Sequence, residues 1–216
     1  MKRVLAVDIA FDLICPWCLI GLRNLQRALA LLAAEAPAVD VQLHWHGVQL
    51  LPDVPPAGWP FEPFYVHRLG SVAAMRARQG VVKAAADVAG VRIDYARINV
   101  MPNTADAHRV FAYAARHASV AQRDALLERL LRGYFEDGDN LGDTEVLLAH
   151  VEACGLDRAT LAAQLRGAAV PFTGTRMASG VPAFSFDGGI DLGGAQPPEV
   201  LLDAMREALQ RTAVPV

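Results

Sequence analysis

The chain has 216 residues, 53% of them hydrophobic, and a formal charge of −3. That is enough apolar material for a large core without disulfide staples, and too little positive charge for a nucleic-acid or anionic-membrane surface. Three cysteines, one of them far from the other two, are not the even framework of a small secreted domain.

Val4 to Phe11 is a short, mainly apolar run that predicts a strand buried on both faces of a parallel sheet. Met1-Lys2-Arg3 ahead of it could open a secretory signal, but Asp8 and Asp12 interrupt the apolar run and no small-residue cleavage site precedes Cys15. No stretch reaches the roughly 18 uninterrupted apolar residues of a membrane span. The expected location is cytoplasmic, where thiols are mostly reduced, with neither nucleic acid nor membrane as partner.

Cys15-Pro16-Trp17-Cys18 then opens a run of helical periodicity from Trp17 to Ala36. With Cys15 near the N-cap and Pro16 at the first helical position, the Cys15 sulfur faces unpaired N–H groups and the positive end of the helix dipole, which favours thiolate. Cys18 lies one turn on, within reach of a disulfide. A structural zinc site would need more ligands than Cys154 and the unpaired histidines offer, so no metal is expected. A disulfide across so small a loop would be a poor staple. A redox-active Cys15–Cys18 pair is the reading these residues favour. The Pro-Trp dipeptide contains no histidine to assist the thiolate, so a moderate rather than extreme fall in the Cys15 pKa is expected.

Leu22, Leu25, Leu29 and Leu32 form the apolar stripe of that first helix. Val41, Leu43 and Trp45 alternate with Gln42, His44 and His46 as a second strand, completing a β-α-β unit with parallel strands. His44 and His46 share a face, but with no third ligand they read as half-exposed strand residues. Five prolines from Pro52 to Pro63 mark a loop leaving the sheet. From about Phe64 to Ala178 the chain is helical: Tyr65 to Ala89, interrupted near Gly80; a short extended piece over Val91 to Ile98; a helix with Asn103 at its cap; one ending before Gly138; and two capped by Asp143 or Thr144 and by Asp157. Cys154 reads as a buried apolar thiol. His108, His117 and His150 have no partner at helical spacing and earn no catalytic role. Val181 to Phe186 and Ile190 to Leu192 form a hairpin around Asp187-Gly188-Gly189, and a closing helix follows Pro198. Gly193-Gly194 lacks the context of a phosphate loop.

The motif Cys15-Pro16-Trp17-Cys18-x-Ile20-Gly21, Asn103-Thr104 with Ala107-His108-Arg109, Gly180-Val181-Pro182, and Gly194-Ala195-Gln196-Pro197-Pro198-Glu199 together resemble the FrnE-like branch of the DsbA family. The resemblance implies an α/β thioredoxin fold, with a thioredoxin-like domain at 1–62 and 179–216 and an inserted α-helical domain at 63–178. It implies Cys15 as nucleophile, Cys18 as resolving thiol, and Pro182 as a cis-proline, with Val181, Pro182, Pro16 and Trp17 facing substrate. Asp12, three before Cys15, reads as a turn residue; in the family pattern it is a proton relay. The expected activity is thiol–disulfide oxidoreductase or isomerase, with thiols and disulfides of proteins or small molecules as partners. No cofactor is expected beyond the cysteine pair, though glutathione would be compatible as co-substrate. Two rivals are a glutathione-dependent isomerase or transferase of the 2-hydroxychromene-2-carboxylate isomerase type, in which serine replaces the first cysteine, and a non-catalytic binding module. After Trp45 the family usually continues with a basic residue, proline and a bulky aromatic; here stand His46, Gly47 and Val48.

Overall fold

A computed structural model describes residues 3–167, 170–174 and 180–211. Met1, Lys2 and the expected end of the helical region at 175–178 lie outside these residues, as do 212–216. Strand β1 (Arg3–Phe11) leads through a tight turn into helix α1 (Pro16–Glu35), and β2 (Val39–Gly47) returns parallel to β1, with Ile9 opposite Trp45. After the inserted elements, β5 (Ala183–Phe186) pairs antiparallel with β1 and β6 (Ile190–Gly193) antiparallel with β5, giving the order β2-β1-β5-β6. Helix α8 (Pro198–Arg211) packs on α1 and touches β1, β5 and β6.

β1 is one of the two interior strands, yet it is buried on both faces only at its C-terminal end. Leu5, Val7 and Ile9 are fully buried, whereas Ala6 and Asp8 between them are half-buried and Val4 is exposed. Burial closes over both faces at Ala10 and Phe11, where the strand delivers the chain to Asp12. The hairpin turn is anchored to the same strand: Asp187 adopts a positive φ, and its side chain accepts from the Ala6 N–H at 2.8 Å.

Between β2 and β5 lie a two-residue ribbon, β3 (Trp59–Pro60) with β4 (Val100–Met101), and helices α2 (Phe61–Leu69), α3 (Val72–Ala89), α4 (Ala105–His117), α5 (Val120–Arg132), α6 (Thr144–Ala153) and α7 (Arg158–Ala162). The break expected at Gly80 falls at Gly70 instead. Gly70 ends α2 in the left-handed conformation at φ 87°, and the Ser71 hydroxyl accepts from Ala74 N–H to start α3, which runs through Gly80 unbroken. The expected extended piece at 91–98 is loop and turn, and strand pairing begins only at Val100. The cap of α4 is Thr104; Asn103, one residue earlier, accepts from the Ala105 N–H at 3.0 Å. Asp143 and Asp157 cap α6 and α7 by accepting from two N–H groups each. A π-helical turn, Gly133–Asp137, extends α5 to Gly138.

The inserted helices share one apolar core with the sheet rather than forming a second one. Its junction is aromatic: Phe11 of β1, Trp45 of β2 and Phe111 of α4 meet edge to face at 5.3 to 5.7 Å between centroids. Such pairs fix orientation as well as burying area. They hold α4, and with it His108, against the C-terminal end of β1.

Candidate active site

The turn after β1 builds the site. Cys15 N–H donates to the Asp12 carbonyl at 3.2 Å, which brings Cys15 to the N-cap of α1 in extended conformation with Pro16 next. Cys18 lies one turn along, its sulfur receiving the Asp12 N–H at 3.4 Å. Both cysteines are free thiols. Cys15 is 7% exposed and Cys18 fully buried, so the helix end is nearly closed to solvent.

Their titrations are pushed apart. The Cys18 thiol hydrogen-bonds to the Cys15 sulfur and lowers its pKa; the backbone N–H groups of Cys18 and Trp17 add to this, while burial and the Asp12 charge oppose it. The neighbouring thiol is thus the largest single cause, with the N–H groups of the helix end behind it. Cys18 moves the other way, well above the ordinary thiol value, because burial and then the Cys15 thiolate disfavour a second charge. At neutral pH the outer sulfur is the readier nucleophile and the inner one keeps its proton.

The Val181–Pro182 peptide bond is cis, and the Val181 carbonyl oxygen lies 3.8 Å from Cys15 Sγ. Gly21 of α1 permits this approach: a Cβ there would stand 2.9 Å from Pro182 Cγ and 3.3 Å from Phe184 Cζ. On the other side of Cys15 opens a cavity of about 560 Å³ between the active-site turn and the inserted helices. Pro16 and Trp17 line it together with Phe61, Phe64, Tyr65 and Tyr95, and Arg68 and Arg78 lie over the Phe64 and Trp17 rings. Burial raises the Tyr65 pKa, and the nearby Cys15 charge raises it further.

Asp12 begins the turn, as its residue type suggests, but its side chain is fully buried. Its carboxylate accepts from the Leu50 N–H at 2.8 Å and meets His108 Nε2 at 2.9 Å. His108, 1% exposed, is therefore a site residue that sequence spacing missed. The two partners are 96 positions apart, and only the Ala107-His108-Arg109 marker singled the residue out. The unusual His46-Gly47 has a counterpart here, since a Cβ at Gly47 would come within 2.6 Å of His108 Nδ1. His44 and His46 both face Asp8, at 3.5 and 2.7 Å. Among the described residues no cluster of three or more His, Cys, Asp or Glu is placed to hold a metal. His150 pairs with Asp139 at 2.9 Å away from the site. Cys154 is half-buried at the end of α6, with a pKa raised by burial.

A dithiol at the start of the first helix, facing a cis X–Pro across a β-α-β/β-β-α sheet, defines the thioredoxin class of fold. Residues 6–206 match the model of the DSBA-like thioredoxin domain, and the chain belongs to that family. A probable DsbA oxidoreductase from Streptomyces coelicolor is similar at 26% identity and TM-score 0.82, over 98% of this chain and 92% of that one. More distant folds of the same kind are a 2-hydroxychromene-2-carboxylate isomerase (17% identity, TM-score 0.59, 96% and 98% coverage) and the cytosolic disulfide reductase DsbM from Pseudomonas aeruginosa with GSH (17%, 0.54, 96% and 98%). No helix among the described residues is long and apolar enough to cross a membrane.

Proposed function

We propose that the protein is a dithiol–disulfide oxidoreductase or disulfide isomerase acting through Cys15 and Cys18. The observation that carries this reading is the asymmetry of the pair: a sulfur with a lowered pKa at a cavity mouth, and a fully buried one with a raised pKa beneath it. Cys15 thiolate attacks a substrate disulfide, one substrate sulfur leaves as thiolate, and a mixed disulfide forms. Cys18 then attacks Cys15, the Cys15–substrate bond breaks, and the reduced substrate departs as the internal disulfide closes. Val181 and Pro182 flank the incoming disulfide, and Pro16 and Trp17 form the near wall of the cavity. In this division of labour the thioredoxin-like unit, 1–62 and 179–216, carries the chemistry. The helical insertion, 63–178, supplies the far wall.

Cytoplasmic work as a reductase or isomerase, with glutathione recycling the pair, is the accompanying proposal. The similarity to a cytosolic reductase is its support. The test is insulin reduction and refolding of a scrambled disulfide protein by wild type, Cys15→Ser and Cys18→Ala, with acid-quenched non-reducing gels. Reducible adducts should accumulate in Cys18→Ala and be missing from Cys15→Ser. Equal behaviour of wild type and Cys15→Ser would instead favour a glutathione-dependent isomerase or a binding module.

A further inference from the structure

We propose that His108 is a proton conduit for Cys18, joining the buried Asp12 carboxylate to water in a small cavity on the far side of the site. The proposal rests on the dithiol reading above and deepens it.

The resolving step has a proton to dispose of. Cys18 is a thiol at neutral pH, sealed from solvent, and must become a thiolate to attack Cys15. Its sulfur lies against the Asp12 backbone N–H, and the Asp12 carboxylate is near enough for its charge to raise the pKa of both cysteines. Asp12 is the nearby base, yet it too is fully buried and has no direct exit. One oxygen is held by the Leu50 N–H; the other meets His108 Nε2.

The opposite ring nitrogen supplies the second observation. His108 Nδ1 is buried and has no hydrogen-bond partner among the described residues. A nitrogen so placed is costly unless water reaches it. It lies on the Gly47 side of the ring, where a Cβ would come within 2.6 Å, and His108 and Gly47 both line a cavity of about 160 Å³. At roughly 30 Å³ per molecule in the liquid, that is room for several waters. Phe172 stacks on the imidazole at 5.1 Å and 19° between planes, holding it edge-on to both sides. The absence of a Cβ at Gly47 keeps the β2 side chain clear of Nδ1.

The groups able to influence His108 are few. Asp12 faces it from the end of β1, with the α1 cysteines beyond. His46 of β2, already bonded to Asp8, and Arg116 of α4 line the cavity. Asp106 on α4 is bound to Arg109 at 2.5 Å. The 170–174 segment contributes no titratable side chain.

The proton balance is complete with water as the only co-reactant. As the Cys18 sulfur bonds to Cys15 and the Cys15–substrate bond breaks, the substrate sulfur leaves with the electron pair as thiolate. The Cys18 proton passes to Asp12, then through Nε2 and Nδ1 of His108 to cavity water. When an external thiolate attacks Cys15 and reopens the internal disulfide, Cys18 is the leaving thiolate and the same path returns its proton. His108 touches neither sulfur, so it is a positioning residue.

The experiment preforms the mixed disulfide between Cys15 and a chromophoric thiol and follows release of that thiol from wild type, His108→Gln and His108→Ala between pH 6 and 9.5. Glutamine keeps a donor toward Asp12 but cannot relay a proton. At pH 6 to 7 release should slow about tenfold or more in both variants, below the usual yield of direct acid–base catalysis because the relay is indirect. The gap should close as hydroxide takes over at high pH, and free imidazole should restore His108→Ala. Wild-type release rates in His108→Gln at every pH would overturn the relay, leaving a role in packing. Failure of wild type to form or resolve the mixed disulfide would remove the dithiol reading and the relay with it. Alkylation of Cys15 at the wild-type rate shows that each variant is folded.

Discussion

Cys15 owes its lowered pKa to a neighbour as much as to its place on a helix. The hydrogen bond from Cys18 is the largest cause, and the Asp12 carboxylate, buried behind the pair, works against it. Two substitutions should therefore move the Cys15 titration in opposite directions. Cys18→Ala removes the stabilising thiol and should raise the Cys15 pKa; Asp12→Asn removes a negative charge from the buried site and should lower it. Thiolate absorbance or alkylation rate against pH measures both, and a fall in Cys18→Ala would show that the thiol is not the main cause. Asp12→Ala adds a stability effect, because the Leu50 N–H and His108 both lose their acceptor; about 1–3 kcal/mol should be lost in urea unfolding.

At the level of elements, glycine is decisive where the backbone or a neighbour requires it and incidental elsewhere. Gly70 and Gly80 make the contrast within one helical stretch. Gly70 sits at φ 87° and terminates α2, whereas Gly80 lies in the middle of α3 with open space where a Cβ would go. Gly80→Ala should stabilise the protein by about 0.5–1 kcal/mol. Gly70→Ala should destabilise it by about 1–2 kcal/mol through left-handed strain alone. Denaturant midpoints for the pair decide where the helix ends, since a break at Gly80 would reverse the order. Gly21 is constrained by a neighbour instead. Gly21→Val drives a branched side chain into Pro182 and Phe184, so it should cost about 1–3 kcal/mol by overpacking and lower insulin reduction, because the Val181–Pro182 segment is displaced from Cys15.

Across the whole molecule the buried titratable groups set a stability profile for the reduced protein. Cys15 ionises at lower pH folded than unfolded, so between its folded pKa and the free-thiol value of about 8.5 the unfolded chain holds more protons and stability rises with pH. Above about 8.5 an unfolded Cys18 ionises while the folded one does not, and from about pH 10 the half-buried Tyr65 and the buried Tyr134, also raised by loss of hydration, act in the same direction. Urea unfolding between pH 7 and 11 should show stability climbing and then falling, and Cys15→Ser should lose the climb. The rise and fall come from groups brought together by one continuous core, and this is also where sequence reading stops. Strands β1 and β2, the dithiol helix, the hairpin and the two aspartate caps are written in local spacing, because apolar periodicity and backbone capping act over a few residues. The placement of Cys15 and Cys18 at the start of that helix was legible for the same reason. The Asp12–His108 pair, the close approach of Gly47 to His108, the Val181 carbonyl at Cys15 and the arginine-rimmed cavity were decided only by the tertiary structure. Each joins residues tens of positions apart, and what selects such pairs is the packing of α4 and the hairpin onto β1, which no local periodicity records.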